Sequence, residues 1–191
     1  MQAKQEVSEK TARQDPQEVR QLLLRVAAGE RAALAELYDR TRAAVYGLAL
    51  SYLKNVHDAQ DMTQDVYVRV WECAAQYRPD GSAVGWVLAV CRSLCLMYLR
   101  RDRRQTLLDE DEWRAVPDTA CGLAHEERLL LQDALAALGE QERRIVLLHA
   151  AAGLKHREIA CLLDLPLATV LSKYHRARKK LTGILEGADI P

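Results

Sequence analysis

Along almost the whole chain apolar residues return every three or four positions, and no stretch alternates apolar with polar residues long enough to build a strand. That period admits helices and little else, so the expected fold class is all-α. Asp15 before Pro16 marks a helix start, with proline at the first helical position where its missing N–H is not needed, and Gly29 closes the helix that carries Leu22, Leu23 and Val26. A second helix is expected from Arg31 to Lys54, with Leu34, Leu37, Tyr38, Val45, Leu48 and Tyr52 on one face. After a turn at Asn55 to Asp58, a third runs from Asp58 to Tyr77 and buries Met62, Val66, Val70 and Ala74. The segment Arg78 to Ser82, with a proline and a glycine, breaks it, and a fourth helix follows from Val84 to Asp102. From Arg103 to Leu123 the period fades. Beyond it come helices near His125–Leu138, Glu140–Ala152, His156–Leu163 and Leu167–Leu185, joined by connections of a few residues.

Charge divides the chain in the same place. Lys and Arg number 27, as do Asp and Glu, so the formal net charge is zero. From Arg92 to Arg104 five arginines stand against Asp102, a net +4; from Lys155 to Lys180 seven cations stand against Glu158 and Asp164, a net +5. Between them, Gln105 to Glu127 holds seven carboxylates and only Arg114, a net −6. The expected organisation is a tail at 1–15, a helical domain at 16–104, an acidic linker at 105–124 and a second helical domain at 125–186. At 49% hydrophobic and 28% charged residues, the 191-residue chain can bury a core and is not a disordered segment. The apolar run Ala43 to Leu53 is shorter than the about 20 residues a span needs, and the N-terminus has no apolar leader, so a cytoplasmic protein with no membrane insertion is expected. Five scattered cysteines, Cys73, Cys91, Cys95, Cys121 and Cys161, form no zinc spacing and read as small buried hydrophobes in a reducing compartment.

The segment Lys155 to Val170 fits a helix-turn-helix. Ala160 is small where two helices would cross, and Asp164 stands in the turn, where aspartate tolerates a left-handed backbone. In the second helix, Val170, Tyr174, Ala177 and Leu181 form an inward stripe and leave Leu171, Ser172, Lys173, His175, Arg176, Lys179 and Lys180 outside. Such a face suits a major groove flanked by phosphates. The alternative is a two-helix corner in an ordinary bundle, its charged face merely solvated. No glycine-rich phosphate loop and no nucleophile–base constellation stands out, and the histidines are scattered, so no enzyme, no cofactor and no metal are expected.

The stretch Asp58 to Trp71 resembles the bacterial sigma factors of the extracytoplasmic-function group. Ala59, Asp61, Gln64, Asp65, Tyr67 and Trp71 match or conservatively replace that family's σ2 signature, and Trp86-Val87 with the basic end from Tyr98 to Arg104 continues it. Glu158-Ile159-Ala160, Thr169-Val170 and Arg176 to Leu181 resemble its σ4 helix-turn-helix. The resemblance implies that Asp61, Gln64, Asp65 and Arg69 dock on the clamp helices of the β′ subunit of core RNA polymerase, which contributes β and β′ as partners. It implies that Tyr77, Arg78, Asp80, Trp86, Arg92, Ser93, Arg100 and Arg101 serve the melted −10 element, with a flipped base held by the loop Gln76–Gly85. Taken alone, Trp86 and Tyr98 each read first as core anchors rather than stacking platforms, and Asp61 with Asp65 as a solvated face. Thr169, Leu171, Ser172, Lys173, His175, Arg176 and Lys179 are implied to contact promoter DNA as duplex at the −35 element. An anti-sigma factor, membrane-anchored in some cases, is the further implied partner. Leu171 and Lys173 stand where the family has basic residues or arginine, Ser93 where it has asparagine and Ala168 where it has glycine, so the preferred promoter should be this chain's own. A stand-alone DNA-binding regulator with an N-terminal sensing or dimerising bundle is the alternative, and it would want apolar residues where Asp61, Gln64 and Asp65 stand.

Overall fold

In a computed structural model of the chain, the described residues are 16–102 and 133–187, and all of their regular structure is helical. The helices are α1 (Pro16–Ala27), α2 (Arg31–Leu53), α3 (Val56–Cys73) with a 3-10 turn at Ala74–Gln76, α4 (Ala83–Asp102), α5 (Glu140–Ala150), α6 (His156–Leu163) and α7 (Leu167–Gly187). The tail at 1–15, the linker at 105–124, the helix start at His125, and Arg103, Arg104 and Cys121 lie outside the described residues.

Helix ends follow local chemistry. Gly29, at φ 87°, follows α1, and the N–H groups of Gly29 and Glu30 bond back to the carbonyls of Val26 and Arg25. The turn expected at Asn55 to Asp58 is instead the first turn of α3. Asn55 is its cap, with the side-chain oxygen accepting from the N–H groups of His57 and Asp58 at 2.9 and 3.1 Å. The same helix stops at Cys73, short of the expected Tyr77, because the backbone tightens into the 3-10 turn. Asp164 takes the left-handed conformation, φ 56° and ψ 50°, at the end of α6.

The four N-terminal helices pack around Val19, Leu23, Leu37, Leu48, Val66 and Leu88, each fully or almost fully buried. Burying each such side chain stabilises the fold by roughly 1.5–3 kcal/mol before chain entropy is counted. Ala83–Arg101 in α4 is long and apolar enough to cross a membrane, with a mean hydropathy of 1.4. Arg92 divides the stretch, so it forms no uninterrupted apolar run in the sequence. In the fold, Val87, Leu88, Cys91 and Cys95 bury one side of it completely.

The C-terminal helices lie against the N-terminal ones, and one apolar cluster runs from Val19 through Ile145, Leu154 and Ile159 to Val170. Arg144 of α5 fastens the contact. Its Nη2 donates to the carbonyl of Ser51 at 2.8 Å, and its guanidinium lies 4.0 Å from the centre of the Tyr52 ring. Lys54 pairs with Glu140 at 2.7 Å beside it.

Candidate nucleic-acid interface

Three exposed surfaces collect the residues singled out from the sequence. On α3, the three- and four-residue spacing that buries Ala59, Met62, Val66 and Val70 turns Asp61, Gln64, Asp65 and Arg69 outward, all exposed. Tyr67, on the inner side, is locked by a 2.7 Å hydrogen bond to Thr41 Oγ1 and an edge contact with Tyr38, and burial pushes its phenol pKa up. Arg69 pairs with Glu72 at 2.9 Å. Val68 is 60% exposed on the face that carries Asp61, Gln64 and Asp65. Its seven-residue offset from Asp61 is the sequence signal that places it on that outer side.

The second surface is the start and outer side of α4. Ser82 caps the helix through Gly85 N–H at 3.1 Å, and a Cβ on Gly85 would meet Ser82 Cβ at 3.1 Å, so a glycine suits this close turn. Arg78, Asp80, Ser93, Arg100 and Arg101 are exposed. Tyr77, expected among the DNA contacts, lies in the core instead, 7% exposed: the preceding 3-10 turn directs its ring inward onto Trp86, with centroids 5.6 Å apart. Trp86 is partly buried in the same contact. Arg92 is half-buried, and its Nε has no hydrogen-bond partner. With Ser93 and Arg100 it lines a cleft whose opposite wall is Glu158, Cys161 and Leu162 of α6.

The third surface is the outer face of α7, and α5 and α6 hold it in place. Val170 and Ala177 are fully buried, Tyr174 and Leu181 partly so. Tyr174 packs edge-on against His149 and His156, which stack with ring centroids 4.6 Å apart. Burial, and then the neighbouring His149, lower the His156 pKa. Glu142, 8% exposed, receives Lys180 Nζ at 2.8 Å, and that hydrogen bond holds its carboxyl pKa below the usual range. Lys180, expected on the solvent side, is therefore also a tether between α5 and α7. Arg143 donates to the carbonyls of Leu135, Ala136 and Leu138, closing the end of the helical turn at 133–136.

Among the sequence candidates on α7, Leu171, Ser172, His175, Arg176 and Lys179 are exposed, whereas Thr169 and Lys173 are partly covered. Ser172 Oγ donates to the Thr169 carbonyl at 3.0 Å, and Arg176 Nε to the Ser172 carbonyl at 3.4 Å. Among the described residues no group of three or more His, Cys, Asp and Glu side chains is placed to hold a metal ion. Cys73, Cys91 and Cys95 are buried thiols, with Cys91 and Cys95 sulfurs 4.0 Å apart. Cys161 departs from the expectation of burial, because α6 turns it outward into the cleft.

The chain matches the Sigma-70 region 2 family over residues 37–105 and the Sigma-70, region 4 family over residues 128–181. It is 31% identical over 173 residues to the ECF RNA polymerase sigma factor SigK of Mycolicibacterium vanbaalenii, covering 85% of this chain and 88% of the relative. With the ECF RNA polymerase sigma factor SigE of Mycolicibacterium smegmatis it shares 36% identity over 168 residues, 83% of this chain and 65% of that protein. In fold it is similar to CnrH, solved in complex with the cytosolic domain of CnrY, with a TM-score of 0.61 at 23% identity, over 90% of this chain and 99% of that one.

Proposed function

Because the chain belongs to the extracytoplasmic-function sigma factors of RNA polymerase, a family that directs transcription from particular promoters, we propose that each of its three exposed surfaces has its own share of that task. The outer face of α3, with Asp61, Gln64, Asp65 and Arg69, docks on the β′ subunit of the core enzyme. The α4 end receives the melted −10 strand, with Arg92, Arg100 and Arg101 on its phosphates and Trp86 beside the base that leaves the stack. The outer face of α7 enters the major groove of the −35 duplex, where Ser172, His175, Arg176 and Lys179 meet base edges and phosphates.

The observation that carries this reading is the α7 geometry: an inner stripe anchored by the fully buried Val170 and Ala177, behind an outer face that is basic and exposed, in the half matched by the region 4 family. The exposed carboxylates of α3 support the docking role, since an oligomerising bundle would bury that face. A chain of zero net charge that reaches DNA within a polymerase needs few phosphate contacts of its own, so its binding to free DNA should have a shallow salt slope. The protein acts in the cytoplasm, has no catalytic chemistry, and supplies specificity to the enzyme it joins. Inhibition by an anti-sigma factor belongs to the same reading. The structural relative CnrH is solved with CnrY, and in this chain Arg92 and Arg100 face α6 across a cleft that such a protein could enter.

The test is co-purification with core bacterial RNA polymerase followed by run-off transcription on genomic fragments. Stable association with promoter-dependent transcripts is the expected result. Sequence-specific binding of free DNA without association would replace it with the stand-alone regulator.

A further inference from the structure

Two exposed leucines stand in the first turns of α7, ahead of its basic stretch. Leu167 is 36% and Leu171 47% exposed, and they lie one helical turn apart on one side of the helix. From Leu167 to Leu185 the helix carries Lys173, Arg176, Arg178, Lys179 and Lys180 and no carboxylate. Lys180 is met by Glu142, and an apolar protein surface laid over the leucines would supply no counter-charge to the others. A polyanion satisfies them, so the occupant must be anionic and still offer carbon to Leu171.

The major groove of duplex DNA meets both conditions. Its walls are phosphate, and among the four bases only thymine presents a methyl group on its floor. The polar side chains beside Leu171 are partly committed to the helix itself, Ser172 Oγ to the Thr169 carbonyl and Arg176 Nε to the Ser172 carbonyl. Leu171 has no donor or acceptor to offer, so a polar base edge pressed against it would lose water and gain nothing. Its depth is fixed by Val170, the next residue, which is fully buried against the rest of the helix-turn-helix. The first turns of such a helix are the ones that reach base edges.

We propose that Leu171, with Leu167 packed beside it, is a specificity-determining residue that selects a thymine in the −35 element through its C5-methyl group. The inference rests on the assignment of α7 to the −35 duplex.

The experiment uses holoenzyme assembled from core polymerase and the full chain, on a promoter identified by run-off transcription. Each −35 thymine is replaced in turn by deoxyuridine, which removes only the methyl group. For the native chain, one such replacement should weaken promoter binding by about fourfold, the value of roughly one buried methyl group. For Leu171→Ala the same replacement should change nothing, because the partner of the methyl is already gone. Leu171 is on the surface and alanine is the better helix former, so the variant should fold; the melting curve and retention of core polymerase confirm it. Three results overturn the proposal: equal sensitivity of native and variant holoenzyme at every position, a −35 element without thymine, or loss of core binding in Leu171→Ala, which would place Leu171 on the polymerase. Absence of any promoter-dependent transcript would instead strike the assignment of the family's function to this chain, and is read before any deoxyuridine is introduced.

Discussion

The two halves of the molecule reach their surfaces by different means. In the N-terminal half, α1 to α4 share a deep apolar core, and the exposed side chains of α3 and α4 stand on helices whose inner faces already fix them. Among the described residues of the C-terminal half, few apolar side chains are buried within that half alone. Leu135, Leu138 and Ala177 form one small cluster, and Ile145, Leu148, Ile159 and Val170 join the larger core of the other half. What apolar burial leaves undone is completed by polar and aromatic contacts: Arg143 on three carbonyls, Lys180 on Glu142, and Tyr174 on the histidine pair. The lesson is that the outer face of α3 can change freely without loss of fold, whereas the pose of α7 depends on individual hydrogen bonds and on the neighbouring half.

The largest effect that would break this comparison comes from Leu88→Ala in the N-terminal core. It should cost about 2–5 kcal/mol and lower the melting of both halves together, because the C-terminal half leans on the same cluster. An unchanged, separate transition for residues 133–187 in hydrogen exchange would show that the second half stands alone. Next in size, Arg144→Ala removes the bonds to Ser51 and the contact with Tyr52. A loss of about 1–3 kcal/mol is expected, read as faster amide exchange in α5 and α6 and an increase in radius by small-angle scattering. A smaller effect follows from pH. Burial, and then the neighbouring His149, lower the folded pKa of His156 below its unfolded value, so the unfolded chain binds more protons as the solution is acidified. Its contribution is complete above the ordinary histidine pKa of about 6.5 and is lost as pH falls through that value toward the lowered one. The melting temperature should therefore decline from pH 7.5 to pH 5.5, less steeply in His156→Phe; equal slopes would remove His156 from the account. Smallest for stability, within about 0.5 kcal/mol, is Asp61→Arg with Asp65→Arg, since both carboxylates are exposed. The same pair should abolish retention of core polymerase in a pull-down, and full retention would move the docking face elsewhere.

Much of this was legible in the amino-acid order, because helical period is a local property. The inward residues of α3 and α7, the left-handed Asp164 and the start of α6 at His156 all follow from spacing and from the habits of single residue types. Contacts between distant segments left no such trace. Nothing near Ser51 announces Arg144, 93 positions later, and the stacking of His149, His156 and Tyr174 required three elements to meet. The burial of Tyr77 is hidden from the sequence for a related reason: tyrosine serves both core and surface, and only the turn before it decides which. Cys161 errs the other way, since an eight-residue helix has two sides and the period alone did not say which one α4 would leave open.

The apolar length of α4 bears on the order of synthesis. Ala83–Arg101 has the hydropathy of a span, and such a segment emerging bare from a ribosome invites aggregation or misdirection to a bilayer. Most of its covering helices, α1, α2 and α3, precede it in the chain. At about 5–20 residues per second, more than a second separates the end of α3 from the end of α4, while helices form within about a microsecond. A nascent chain of this sequence therefore has the cradle for its most apolar helix made before that helix is complete.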